Sequence, residues 1–499
     1  MSVNVNDLEP RPLPAGGGAL PSSRGRPSQP LGQLLQSGTA LALFVAALFT
    51  ANLLLHYPGA FNNDSLNQYR QAVSGQYADW HPPVMAWVWS LLLPIADGTA
   101  PMLVLHLVLY WSGFGLLADG VRRAGRPLIA WAVAAAGAFP PFLFLNAVVT
   151  KDVGMVAAWI AAIGLVFWFR AQRRPVPWFA IVLAAVFATY GMLVRANAIF
   201  ALGPLLVYAF ARPTVRWMRL AIAAVVVALL AFPVSNLVNK HVFEARAQHP
   251  LHSLVLFDLL GIAFHAGDPQ LLEPRATLAE TDLRACYTPY WFDPLSPWGR
   301  CGAKVHRPAG DIVVQPEGIE RQWLATIAQH PVAYLKHRLK HFNSSLLFAV
   351  PLKHIRLTPE YQPGDGSFQP MAVVTASEVK WDLVRKNPLF WPVAWLAWGV
   401  TLALFLSRQA VTPLTALASA LSVSAVVYSA AYFLIGVHTD MRYHYWTMAA
   451  LLCASLLVLP ELAAGWRARA RPLRVGVWAV AALVAIGTAA RLADLRLFM

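Results

Sequence analysis

Asp64 and His81 are the first residues in the chain placed to do chemistry. Asp64 stands in Asn62-Asn63-Asp64-Ser65 and His81 in Trp80-His81-Pro82-Pro83, on the segment that follows the first membrane-length apolar run, residues 36–56. A carboxylate there could serve as a general base, as a ligand for a divalent metal, or only as a helix N-cap. The imidazole could cap a turn, or hydrogen-bond a phosphate or Asp64. Lys151-Asp152 opens a later apolar run, and Arg195-Ala196-Asn197 stands between two runs with almost no loop. An arginine so close to hydrocarbon requires a partner, which Asp152 or an anionic ligand would supply. The densest polar and aromatic cluster is His438-Thr439-Asp440-Met441-Arg442-Tyr443-His444-Tyr445-Trp446. Its Arg442 offers a bidentate fork and His444 a further donor, a set suited to phosphate; Tyr443 would line the same place or belong to an interfacial aromatic belt.

These residues need elements to hold them. Apolar residues make up 58% of the 499 and charged residues 13%, roughly half the charge of a soluble chain. The apolar runs are continuous rather than alternating, which predicts an all-α polytopic membrane protein and argues against a β-barrel. Candidate spans lie at 36–56, 101–119, 127–145, 153–170, 177–193, 198–211, 218–236, 389–406, 411–434, 445–462 and 474–490, about eleven transmembrane helices, the shorter ones needing flanking residues to cross. The net charge of +15 is carried largely by arginine clusters between runs. That distribution anchors orientation and gives no reason to expect a nucleic-acid partner.

The positive-inside rule puts Arg122/Arg123/Arg126, Arg170/Arg173/Arg174, Arg212/Arg216/Arg219, Arg408 and Arg467/Arg469/Arg471/Arg474 in the cytoplasm. The scheme holds if residues 84–95, about 18 Å as a helix, form a re-entrant or interfacial segment rather than a span. Pro82-Pro83 would start it and Pro94 stop it. The outer side then receives 57–83, Lys151-Asp152, Arg195-Asn197 and His438 to Tyr445, with Arg491 and Arg496 a mild exception to the charge rule.

Four regions follow: a disordered cytoplasmic tail (1–35), a first transmembrane module (36–236) whose outer loop 57–83 carries Asp64, a periplasmic α-rich domain (237–388) and a second transmembrane module (389–499). Leu66, Tyr69, Val73 and Tyr77 are spaced for an amphipathic helix along the membrane surface. Residues 317–348 read as one helix. Cys286 and Cys301 are expected to form a disulfide in an oxidising compartment, worth about 3 kcal/mol if loop entropy governs. Neither a phosphate-binding loop of the G-x-x-x-x-G-K-[ST] type nor a C-x-x-C or H-E-x-x-H metal pattern occurs, which argues against an ATP motor and those zinc sites.

The ordered set resembles the GT-C superfamily of integral membrane glycosyltransferases, in particular its mannosyltransferase-like members of glycosyltransferase family 39. Those enzymes carry an acidic residue in a first outer loop set on surface helices, a second after the third span, and a variable outer domain. Asp64 matches the first acidic position and Asp152 the second, while His81-Pro82-Pro83 sits where relatives have a basic or polar residue followed by proline. Many relatives have Asp-Glu or Asp-Asp at the first site; this chain has Asn63-Asp64-Ser65. The resemblance spans about residues 36 to 490. It implies a GT-C fold, a polyprenyl-phosphate sugar donor, and a glycan, lipid or protein acceptor. It places the reaction outside the bacterial inner (cytoplasmic) membrane or in the endoplasmic reticulum lumen, and the bacterial site, with a cytoplasmic N-terminus, is the expectation adopted. Two rival readings are a ligase or polymerase of lipid-linked glycans, and a transporter or flippase.

Overall fold

The computed structural model describes residues 30–211, 213–272, 279–297, 299–305, 318–351, 362–363 and 386–495. Most of the expected tail 1–35, together with Arg212, Glu317 and Arg496, lies outside the described residues. Among those described, nearly all regular structure is helical; the one strand pair joins Ala60–Phe61 to Gln362–Pro363, antiparallel.

Among the described residues, six helices are long and apolar enough to cross a membrane: Gly38–His56, Ala100–Arg123, Lys151–Ala171, Trp217–His241, Pro413–Ile435 and Arg471–Leu492. Two bent pairs bring the number to eight if each is one span. Pro127–Ala136 joins Pro140–Asn146 at 43°, and Met441–Leu457 joins Leu459–Arg467 at 68°. Proline explains both bends, since Pro140 and Pro460 stand in the first turn of each second helix and cannot donate to a preceding carbonyl. The other three expected spans fall on the shorter apolar helices Trp178–Leu193, Ala196–Phe210 and Pro392–Leu406. Length and apolarity therefore support up to eight of the eleven. The Val84–Leu92 helix has nine residues, about 14 Å, too short to cross.

Lys151–Ala171 is the most buried of the six long helices. Glycine lets Ala100–Arg123 approach it closely. A Cβ on Gly113 would lie 2.5 Å from the Ile160 carbonyl carbon, and one on Gly164 would lie 2.6 Å from the Gly113 oxygen. Packing of this kind supplies contact where apolar surface meets apolar lipid, and it fixes the point at which the Lys151 helix begins. The two ends of the bundle differ in chemistry. At one, Asp119 bonds Arg122, Arg123 and the Trp168 indole, and Arg126 pairs with Glu461 at 2.5 Å. The other gathers Asp64, His81, Lys151, Asp152, Arg195 and Arg442.

Two local expectations are corrected. The helix after the first span runs from Asn63 to Ser74 and stops at Gly75, whose φ of 68° few other residues adopt. Tyr77 therefore leaves the apolar stripe, and its carbonyl accepts from Arg246 N–H at 2.9 Å. The fully buried face is Ser65, Gln68, Gln71 and Ala72, while Val73 is exposed. In place of the one helix expected over 317–348 stand two, Ile319–Gln329 and Pro331–Ser345, because Pro331 withdraws a donor and restricts His330. Arg491, the mild exception to the charge rule, is buried. It donates to the carbonyls of Leu347, Phe348 and Gly487, and its guanidinium lies 3.7 Å from the Trp391 ring centroid.

Within the region expected as an outer domain, Leu251–Ala266 packs on Pro331–Ser345. Asp258, at the centre, meets Arg338 at 2.6 Å, His337 at 3.2 Å and the Trp323 indole at 2.9 Å. Three donors around one buried carboxylate meet the condition under which such a charge is tolerated. Cys286 and Cys301 are disulfide-bonded and close the loop between them.

Candidate active site

The Asn63–Ser74 helix is capped by its neighbours, not by Asp64. Asn62 Oδ1 accepts from Ser65 N–H at 2.8 Å, and Ser65 Oγ accepts from Asn62 N–H at 2.9 Å, a closed capping box. Asp64 in the first turn is left to face outward from the helix, where the macrodipole favours its charge. Its side chain is 26% exposed and meets Arg442 Nη2 at 3.0 Å, Lys151 Nζ at 3.5 Å and His81 Nε2 at 3.6 Å. Burial pushes the carboxyl pKa up, but the nearby charges, Arg442 and then Lys151 foremost, outweigh it and hold the group well below the usual carboxylate range.

His81 is fixed by the prolines that start the Val84–Leu92 helix and by Lys151, whose Nζ lies 2.7 Å from Nδ1. An ammonium can only donate, so Nδ1 is the acceptor and the proton sits on Nε2, toward Asp64. Burial, then the Lys151 charge, pushes the imidazole pKa down to about 3. His81 is thus a neutral donor over the physiological range. The rate of the catalysed reaction between pH 5 and 8 is expected to show no His81 titration step. A step near pH 6.5 that disappears in His81→Gln would contradict this placement.

Arg442 is held in the short helical turn Met441–His444. Asp440 caps it, accepting from Arg442 N–H at 3.0 Å, and pairs with Nε at 3.0 Å, so one guanidinium spans Asp440 and Asp64. Burial raises the Asp440 pKa, with Arg442 opposing. Tyr443 couples a second pair to the first. The Arg195 guanidinium lies 4.6 Å and that of Arg442 5.2 Å from its ring centroid, and Tyr432 stacks on it at 5.6 Å. Arg195 donates to the Tyr432 hydroxyl at 2.8 Å and forms an ion pair with Asp152, both nearly inaccessible. Thr150 caps the Lys151–Ala171 helix, so Asp152 also sits in a first turn.

The structure thus brings Asp64, His81, Lys151 and Arg442 into direct contact and joins Asp152 and Arg195 to them through Tyr443. Asn197 is buried in the turn after Arg195. His444 is engaged elsewhere: its two ring nitrogens meet Ser345 Oγ at 3.2 Å and Ser429 Oγ at 2.9 Å. Sequence reasoning did not single out Asp440 or Tyr432. An acidic residue two positions before Arg442, at the start of a turn, was the available signal for the first; nothing local marks the second.

Three carboxylates and three fixed cations balance here. Divalent cations such as magnesium or calcium need several oxygen ligands converging, whereas Asp64 is ringed by donors. Among the described residues no group of three His, Cys, Asp or Glu converges. The set fits an anion, and no step is assigned to a metal.

Residues 80–238 match the model of the dolichyl-phosphate-mannose-protein mannosyltransferase family. In that region the chain is similar to a family of GT-C-type membrane mannosyltransferases. The match covers about a third of the 499 residues and includes His81, Lys151, Asp152, Arg195 and Asn197; Asp64 precedes it and Arg442 follows it. No curated protein and no solved structure matches the chain.

Proposed function

We propose that the protein is a membrane glycosyltransferase that moves one sugar from a polyprenyl-phosphate donor to an acceptor hydroxyl or amine at the outer face of a bacterial cytoplasmic membrane. The observation that carries the reading is Asp64 held between Lys151 and Arg442 at a polar end of a membrane bundle. Two cations 3 to 3.5 Å from one carboxylate form a site for a second anion. A donor phosphate entering there would share both, and the field that makes Asp64 a weak base would relax as it did so. Asp64 would then accept the proton of the acceptor. The acceptor oxygen or nitrogen bonds to the anomeric carbon, the carbon–oxygen bond to phosphate breaks, and polyprenyl phosphate leaves with both bonding electrons. Single displacement inverts the anomeric centre. Lys151 and Arg442 stabilise the leaving phosphate, His81 orients Asp64 or a donor oxygen through Nε2–H, and Asp152–Arg195 supports Tyr443 behind Arg442. The separation of the arginine-rich end from this end supports an outer site.

The test is made in proteoliposomes supplied with polyprenyl-phosphate hexose and pentose donors. Mass spectrometry is expected to show free polyprenyl phosphate and an acceptor heavier by one sugar, of inverted configuration. Transfer of oligosaccharide blocks would indicate a ligase or polymerase instead. Lipid translocation without bond cleavage would overturn the proposal.

A further inference from the structure

The segment that delivers Arg442 has little structure of its own. Pro413–Ile435 ends at Gly436, and Asp440 begins the turn that holds Arg442. Val437, His438 and Thr439 between them are held by three successive residues from the loop that Cys286–Cys301 closes. Phe292 N–H donates to the Val437 carbonyl at 2.8 Å. Trp291 forms an antiparallel bridge with His438, their rings 6.0 Å apart. The buried Thr439 hydroxyl donates to the Tyr290 carbonyl at 2.7 Å. Asp293 Oδ2 lies 3.5 Å from His438 Nε2. The loop is braced in turn: Cys301 N–H donates to the Pro294 carbonyl at 2.9 Å, and a Cβ on Gly299 would collide with the Asp293 carbonyl oxygen. Arg338, paired with Asp258, secures the Gly436 carbonyl at 2.7 Å.

We infer that the disulfide-closed loop is a positioning clamp for the reaction, with Thr439 its contact residue, setting where the Arg442 guanidinium stands opposite Asp64. The physical reason is the register. An antiparallel pairing over residues 437–439 fixes the direction and height at which the chain enters Asp440, and Asp440 grips Arg442 by both its amide and its Nε. Without the pairing, those three residues would be a loop with few internal contacts, and Arg442 would sample positions away from Asp64.

The kinetic test rests on the glycosyl-transfer reading; the exchange test does not. In the full-length enzyme, Thr439→Val keeps shape but removes the donor to the Tyr290 carbonyl. It is expected to raise the donor KM about tenfold with a smaller change in kcat, since Arg442 would meet the donor phosphate. Thr439→Ser should restore the wild-type KM. A defect confined to folding would instead lower the amount of active enzyme at unchanged KM. In parallel, hydrogen exchange is followed in oxidised and reduced protein. Reduction is expected to speed exchange over residues 437–443 about tenfold while residues 254–262 keep their protection. An unchanged KM in Thr439→Val, a serine variant as impaired as valine, no change over 437–443, or loss of protection throughout would each overturn the clamp.

Discussion

Asp64→Asn is expected to lower turnover by about 10²–10⁴-fold while the protein folds normally and binds the donor at least as tightly as before. Folding is spared because the Asn62–Ser65 box, not Asp64, caps the helix. Turnover falls because an amide cannot take the acceptor's proton. The donor effect follows from the charges. Lys151 and Arg442 lose their resident anion when Asp64 becomes neutral, so an entering phosphate no longer shares them. Polyprenyl-phosphate binding, measured in the absence of acceptor, should therefore hold or strengthen. Single-turnover measurement with bound donor isolates the chemical step. Near-normal turnover would exclude Asp64 as the base, and a large loss of donor affinity would mean that the carboxylate contacts the donor itself. Acid has the corresponding sign. Asp64 has a folded pKa below its unfolded value, so its stabilising contribution is present above about pH 4 and is lost as the pH falls toward the depressed folded value.

How much of this arrangement the sequence disclosed depends on the range of the forces involved. Span positions were legible because twenty apolar residues are a local signal, and the expected helices at 36–56, 153–170, 218–236, 411–434 and 474–490 fall on long apolar helices. The bends at Pro140 and Pro460 were written in the chain too, but continuous hydrophobicity masked them. Asp64, Lys151, Arg195 and Arg442 stood out because charge beside apolar runs is costly and so demands a partner. Which partner each takes was not legible. Arg442 reaches Asp64 across 378 positions of sequence and Arg195 reaches Tyr432 across 237, and only the packing of Ala100–Arg123, Lys151–Ala171 and Pro413–Ile435 brings them together. The same holds for His444, whose neighbours Arg442 and Tyr443 face the ion pairs while a half-turn of helix directs it to Ser345 and Ser429.

Asp152→Ala is expected to produce the largest loss of stability among the site residues, about 3–5 kcal/mol. The side chains of Asp152 and Arg195 are 1% and 8% exposed, so removal of the carboxylate leaves a guanidinium in a poorly hydrated place, with the Tyr432 hydroxyl and the Tyr443 face as its remaining support. Arg195→Met should cost less than Asp152→Ala, because Asp152 retains its helix N-terminus. The double variant should then be more stable than Asp152→Ala alone, since no unpaired buried charge remains. Unfolding in detergent, followed for the four proteins of the cycle, measures the coupling. The comparison also separates two roles for Arg195. If it is support behind Tyr443, donor KM in the folded fraction of Arg195→Met shifts only as far as Arg442 shifts, and the double variant resembles it. If Arg195 itself holds the donor phosphate, donor KM rises steeply in both while Asp152→Ala alone tightens donor binding, because the freed guanidinium would then seek the phosphate. The observed pairing with Asp152 favours the first outcome: a phosphate would have to displace a carboxylate already desolvated and in contact, whereas at Asp64 it meets a group one quarter exposed, with two cations within reach.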